Sequence, residues 1–174
     1  RHDHELRLRQ LQQDGAIIRA SGERASVAVR AALDPAAPYD LLLVTVLATQ
    51  VGAVLPAIRE CAARRVMFMF NTFEPIAPLR DAAGAERFAF GFPAGVFCLL
   101  VDGKIQDQVR SGTTVNDPEW ARIFTAAKIP TVVDDDMHSW LRSHAAMVVP
   151  LMAIGVETVR RGRGVTWTEA RKYT

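Results

Sequence analysis

No stretch of this sequence carries the glycine pattern that cradles a pyrophosphate: its eleven glycines nowhere fall in a G-x-G-x-x-G spacing. Such a turn lets backbone N–H groups approach phosphate oxygens at a helix N-terminus, so the residues shown contain no cradle of that kind. Lysine is scarce as well. Lys104, Lys128 and Lys172 are the only three among 21 basic residues. A net charge of +2, with no basic stripe interleaved with aromatics, gives no footing for a nucleic-acid partner. Two cysteines, Cys61 and Cys98, lack metal-ligand spacing and sit in apolar patterns; the expectation is two reduced core thiols in a cytoplasmic protein, with no metal. No unbroken apolar run reaches about 20 residues, and no leader pattern opens the chain, so no membrane segment is expected.

What is present reads as alternating strands and helices. Residues 3–13 are rich in helix formers and Gly15 follows as a cap. Short strands are expected at 16–19 and 26–31, around a Ser21-Gly22 turn. Residues 40–46 form an apolar run suited to a strand covered on both faces. Val51, Val54, Leu55, Ile58 and Ala62 then fall at helical spacing, with Pro56 in a first turn or at a kink. Residues 66–70 complete a strand–helix–strand unit, whose ligands bind at the carboxyl ends of strands, here 46–50 and 70–74.

Strands at 87–92 and 96–101 follow, and Asp102-Gly103 turns the second into a hairpin with 105–110. Asp117-Pro118 starts a helix whose buried face should be Trp120, Ile123, Phe124 and Ala127. A strand at 130–133 leads to Asp134-Asp135-Asp136, read as the capped start of a helix over 137–159 rather than a metal site. Arg160-Arg161-Gly162-Arg163 reads as a solvated helix end. Thr166-x-x-Glu169 is a capping box opening one more helix, within whose first turns the chain stops. The Arg start and this last helix suggest a piece of a longer product.

Four stretches, in order and spacing, resemble the ketopantoate reductase family: Tyr39 to Val46 followed by Gln50; Val66 to Asn71; Gly91-Phe92-Pro93-Ala94-Gly95; and Asp135 to Trp140. The resemblance implies an α/β Rossmann-like dinucleotide-binding domain lacking its first βα unit, over residues 1–134. The start of an all-helical C-terminal domain would then occupy 135–174. It implies NADPH-dependent reduction of a 2-oxo acid, such as 2-dehydropantoate, to a 2-hydroxy acid in pantothenate biosynthesis. The alternative is a non-catalytic or diverged NADP-binding protein of the same fold. It also implies that Arg1 meets the 2′-phosphate of NADP, that Asn71 lies near nicotinamide and substrate, and that Gln50 lines the same crevice.

The chain departs from the family where the chemistry sits. Aligned on Trp140, the family's lysine two residues later is Arg142 and the Asn one turn on is Ala146; aligned on Pro150 they are Leu141 and Ala145; the other lysine is Leu47. Arg142 can hold a carboxylate or polarise a carbonyl but is a poor proton donor, its pKa staying above about 12. His144 reads either as the substitute acid or as a packed core residue on the stripe Met137, Leu141, Val148, Leu151; His138 is a second candidate. A homodimer through the apolar helix is the oligomer the sequence allows.

Overall fold

The computed structural model describes residues 2–93, 96–109 and 112–173. Arg1 and residues 94, 95, 110 and 111 lie outside these, as do parts of the expected glycine segment and the hairpin's last residue. Helix α1 (His2–Asp14) ends on Gly15, whose φ of 57° only glycine adopts freely and whose N–H closes on the Leu11 carbonyl at 2.9 Å. Strands β1 (Ala16–Ile18) and β2 (Arg24–Ser26) form a small antiparallel ladder. The second strand begins earlier than the 26–31 the pattern indicates, because pairing with Ile18 starts at Arg24 and residues 27–30 run outside any ladder.

The main sheet has five strands in the order β3-β4-β5-β8-β9: β3 (Leu42–Val44), β4 (Val66–Met69), β5 (Phe88–Phe92), β8 (Thr113–Val115) and β9 (Thr131–Val133). All neighbours are parallel except β5 and β8. The apolar alternation of β4 explains its interior place, between β3 and β5. Val66 and Phe68 face one layer, with Phe70 just beyond the strand, while Met67 faces the other. On the first face Phe68, Phe70 and Phe90 pack with Ile58 of α2 (Val51–Glu60), Leu79 of α3 (Ala77–Ala83), and Met137 and Leu141 of α5 (Met137–Arg161). Phe70 meets Phe90 edge-on with centroids 5.6 Å apart, an arrangement that adds to simple burial. On the second face Met67, Ala89 and Val115 meet α4 (Pro118–Ala126).

Several expectations change. The strand at 40–46 shortens to three residues and is not covered on both faces: Leu43 is 44% exposed, because β3 is the edge of the described sheet. The buried side of α4 is Trp120, Ala121 and Phe124, whereas Ile123 and Ala127 face outward, since the helix lies on β8 and β9 along a line one residue away. Strand β8 and helix α3 stand where the pattern indicates no element. In α2, Pro56 is accommodated mid-helix, and a 3-10 turn over Ala48–Gln50 precedes it. Cys61 is buried but Cys98 is exposed, because β6 (Val96–Val101) and β7 (Lys104–Val109) form a separate hairpin instead of joining the sheet. Asp102 and Gly103 close that hairpin, both with positive φ.

The stripe of α5 is buried only at Met137, Leu141 and Ala145; Leu151 is 60% exposed. By length and composition α5 is long and apolar enough to cross a bilayer, contrary to the expectation from unbroken runs, since a helix tolerates scattered polar residues. Asp136 caps it by accepting from Ser139 N at 3.0 Å. Helix α6 (Trp167–Ala170) has the reciprocal Thr166–Glu169 capping box and closes within four residues instead of running on to the end. Glu169 also pairs with Arg161 and Arg163, and Glu157 with Arg160 and Arg161. These guanidinium partners hold Glu157 down to about 2.

Candidate functional site

A crevice of about 460 Å³ opens at the carboxyl ends of β3 and β4. Its floor is apolar, from Val51 and Leu55 of α2, Phe70 after β4, and Leu79 of α3. Parallel strands ending side by side leave this space, because each chain turns away into its own helix. Asn71 follows β4 after Phe70 and lines the crevice with Thr72, Phe73 and Glu74. Glu74 carries the one ionisable side chain among the described lining residues. The loop is stiffened by Pro75 and by Glu74 N donating to Thr72 Oγ1 at 3.0 Å.

Gln50 lies at the rim without lining the crevice. Its Oε1 accepts from Leu47 N at 3.3 Å, so the amide is turned back to close the 3-10 turn. Arg142 is exposed on α5 and, among the described residues, makes no hydrogen bond or ion pair. His144 projects to another side of the same helix, about 200° away for residues two apart. Its ring stacks on Trp140, with centroids 5.0 Å apart and planes 8° from parallel, and meets Phe92 at 4.6 Å. Burial among these rings lowers the His144 pKa below its ordinary 6.5. Of the two readings open for His144, this geometry is that of a packed ring. The structure brings Asn71 to the crevice and places none of Gln50, Arg142 and His144 in its lining; Arg1 lies outside the described residues.

The family resemblance singles out Asn71 alone, but Phe73 and Glu74, within the strand end at 70–74 expected to meet ligand, also line the crevice in an Asn-Thr-Phe-Glu-Pro loop. Their signal is their place on the loop that follows a buried strand, where ligands bind in sheets of this kind. Among the described residues no cluster of His, Cys, Asp and Glu could hold a metal.

A mainly parallel sheet flanked by helices, a crevice at its carboxyl edge and a helical C-terminal portion define a Rossmann-like α/β protein. The chain belongs to the ketopantoate reductase PanE/ApbA family, whose sequence profile matches residues 2–119. Its fold is similar to that of a Ralstonia solanacearum protein described as a ketopantoate reductase (TM-score 0.64, 16% identity, 86% of this chain and 57% of that one). It is also similar to the dimeric ketopantoate reductase of Staphylococcus aureus (TM-score 0.58, 11% identity, 91% and 64%). A third is D-mandelate dehydrogenase with NADH and anilino(oxo)acetate (TM-score 0.59, 13% identity, 80% and 50%). The chain thus spans between half and two thirds of the length of these proteins. No curated protein matches it significantly.

The fit to a nicotinamide dinucleotide is divided. The apolar crevice with an amide at its mouth suits a ring and its ribose. The diphosphate has no glycine cradle among these residues.

Proposed function

We propose that the protein to which these residues belong is an NADPH-dependent reductase of a 2-oxo acid carbonyl, with 2-dehydropantoate as the reference substrate. The observation that carries this is Asn71, held at the carboxyl end of β4 on the mouth of an apolar crevice, in a chain of this family. When bound, the nicotinamide supplies the hydride that adds to the carbonyl carbon. Asn71 donates its amide N–H to the carbonyl oxygen, where negative charge develops. The exposed guanidinium of Arg142 takes the substrate carboxylate, for which its planar fork is suited. His144 stays outside proton transfer in this reading, because its ring is stacked on Trp140 and faces away from Arg142; the alkoxide left by hydride addition takes its proton from solvent water. Residues 135–174 form the start of a helical second domain, and the protein is a cytoplasmic homodimer.

The test is NADPH oxidation, followed at its near-ultraviolet absorbance, by the longer product with 2-dehydropantoate and a panel of 2-oxo acids. Absence of turnover with every acid, together with absence of NADPH binding in titration, refutes the proposal. A second reading has a specific observation behind it: Leu47, Arg142 and Ala146 stand where the family resemblance puts two lysines and an Asn. A binding protein without chemistry follows from that pattern, and it would bind NADPH while turning over no acid.

A further inference from the structure

We propose that the crevice is a ring-binding subsite in which Phe73 is the stacking platform and Glu74 the acceptor for N–H or O–H groups on a neutral planar ring. The inference rests on the crevice being the ligand site of the proposed reductase. An aromatic side chain 62% exposed, at the rim of an apolar cavity, leaves a large apolar face unburied without a ligand. The loop that carries it is fixed, since Pro75 restrains the backbone and the Thr72 hydroxyl holds Glu74 N. The floor of Val51, Leu55, Phe70 and Leu79 offers no polar partner, so it selects a flat apolar face over a hydrated chain. Polar recognition is confined to the rim, where the Asn71 amide can both donate and accept and the Glu74 carboxylate only accepts.

A ring with these properties has two sources, a nucleoside base or the hydroxyaryl side chain of a 2-oxo acid. Saturation-transfer NMR on the 174-residue chain separates them, using adenosine, 4-hydroxyphenylpyruvate and ringless pyruvate, with Phe73→Ala and Glu74→Gln. Phe73 is exposed, so its removal spares the core, and circular dichroism checks the fold of both variants. Binding of adenosine that Phe73→Ala weakens about fivefold or more, and that Glu74→Gln also weakens, supports the subsite and assigns it to a base. Binding of 4-hydroxyphenylpyruvate but not of adenosine, weakened by both substitutions, supports it and assigns the ring to the acid. Neither ring compound binding, ring binding indifferent to Phe73→Ala or to Glu74→Gln, or pyruvate binding as well as 4-hydroxyphenylpyruvate overturns it. The reductase reading fails separately. Ring binding through Phe73 with no NADPH oxidation in the longer product removes that reading alone, and turnover with ring binding indifferent to Phe73 removes this one.

Discussion

Replacing Gly91 by Ala tests the packing of the central sheet at a single atom. Gly91 lies on β5 between β4 and β8, where parallel pairing gives way to antiparallel. A Cβ there would stand 2.8 Å from Val115 Cγ1, 3.1 Å from Met69 Cε and 3.1 Å from the Thr114 carbonyl oxygen. The Met69 methyl can swing away. Val115 is fully buried and the Thr114 carbonyl is backbone, so β8 itself has to shift. Overpacking of this kind costs about 1–3 kcal/mol, and with two unyielding neighbours about 2 kcal/mol is expected. For a chain of this size that is a fall of roughly 4–8 °C in Tm. Gly155 provides the opposite case. It lies in the interior of α5 with nothing within 4 Å of its Cβ position, so Gly155→Ala should stabilise by about 0.5–1 kcal/mol through backbone entropy. Urea titrations of both variants and the parent, followed by circular dichroism, give the comparison. Gly91→Ala within about 0.5 kcal/mol of the parent, or Gly155→Ala the less stable of the two, would refute the packing described for β5 and β8.

Other outcomes follow from the same structure. The His144 ring should titrate by NMR with a midpoint below 6.5; a midpoint at or above that value would contradict its burial between Trp140 and Phe92. Because the folded value is depressed, the unfolded chain binds the proton first, so the contribution is complete above pH 6.5 and is lost as pH falls through the folded value. Phe68→Ala, at the centre of the aromatic cluster, should cost about 3–5 kcal/mol in chemical denaturation. Thr166→Ala removes one half of the capping box and should speed hydrogen exchange at residues 167–170 while the sheet amides stay unchanged. In a catalytically competent longer product, Asn71→Ala should lower kcat by about 100-fold or more with NADPH and a 2-oxo acid, and an unchanged kcat would remove Asn71 from the reaction.

Elements with a strong local signal were readable from the residues. Residues 66–70 are a continuous apolar run bounded by Arg65 and Asn71, and the run carries a buried interior strand of the sheet. Asp117-Pro118 and Thr166-x-x-Glu169 are self-contained caps, since their hydrogen bonds join residues two or three apart. Helix α3 and strand β8 carried no comparable signal. The first is seven residues with a Pro near its start, held by Leu79, Ala82 and Ala83 against its neighbours. The second is Thr-Thr-Val, polar in composition, and it is a strand because β5 and β9 pair with it on either side.

By itself the sequence determined the kind of protein: the order of buried strands and capped helices, and the position of Asn71 at a strand end. Those follow from periodicities and caps that act over a few residues. Only the tertiary structure decided which side chains line the crevice. It turned the Gln50 amide back onto Leu47, folded His144 between two aromatic rings and left Phe73 exposed at the rim. Each of these depends on which neighbour occupies the adjacent space, and residues such as Phe92 and His144, 52 positions apart in the chain, meet only once the sheet and helix have packed.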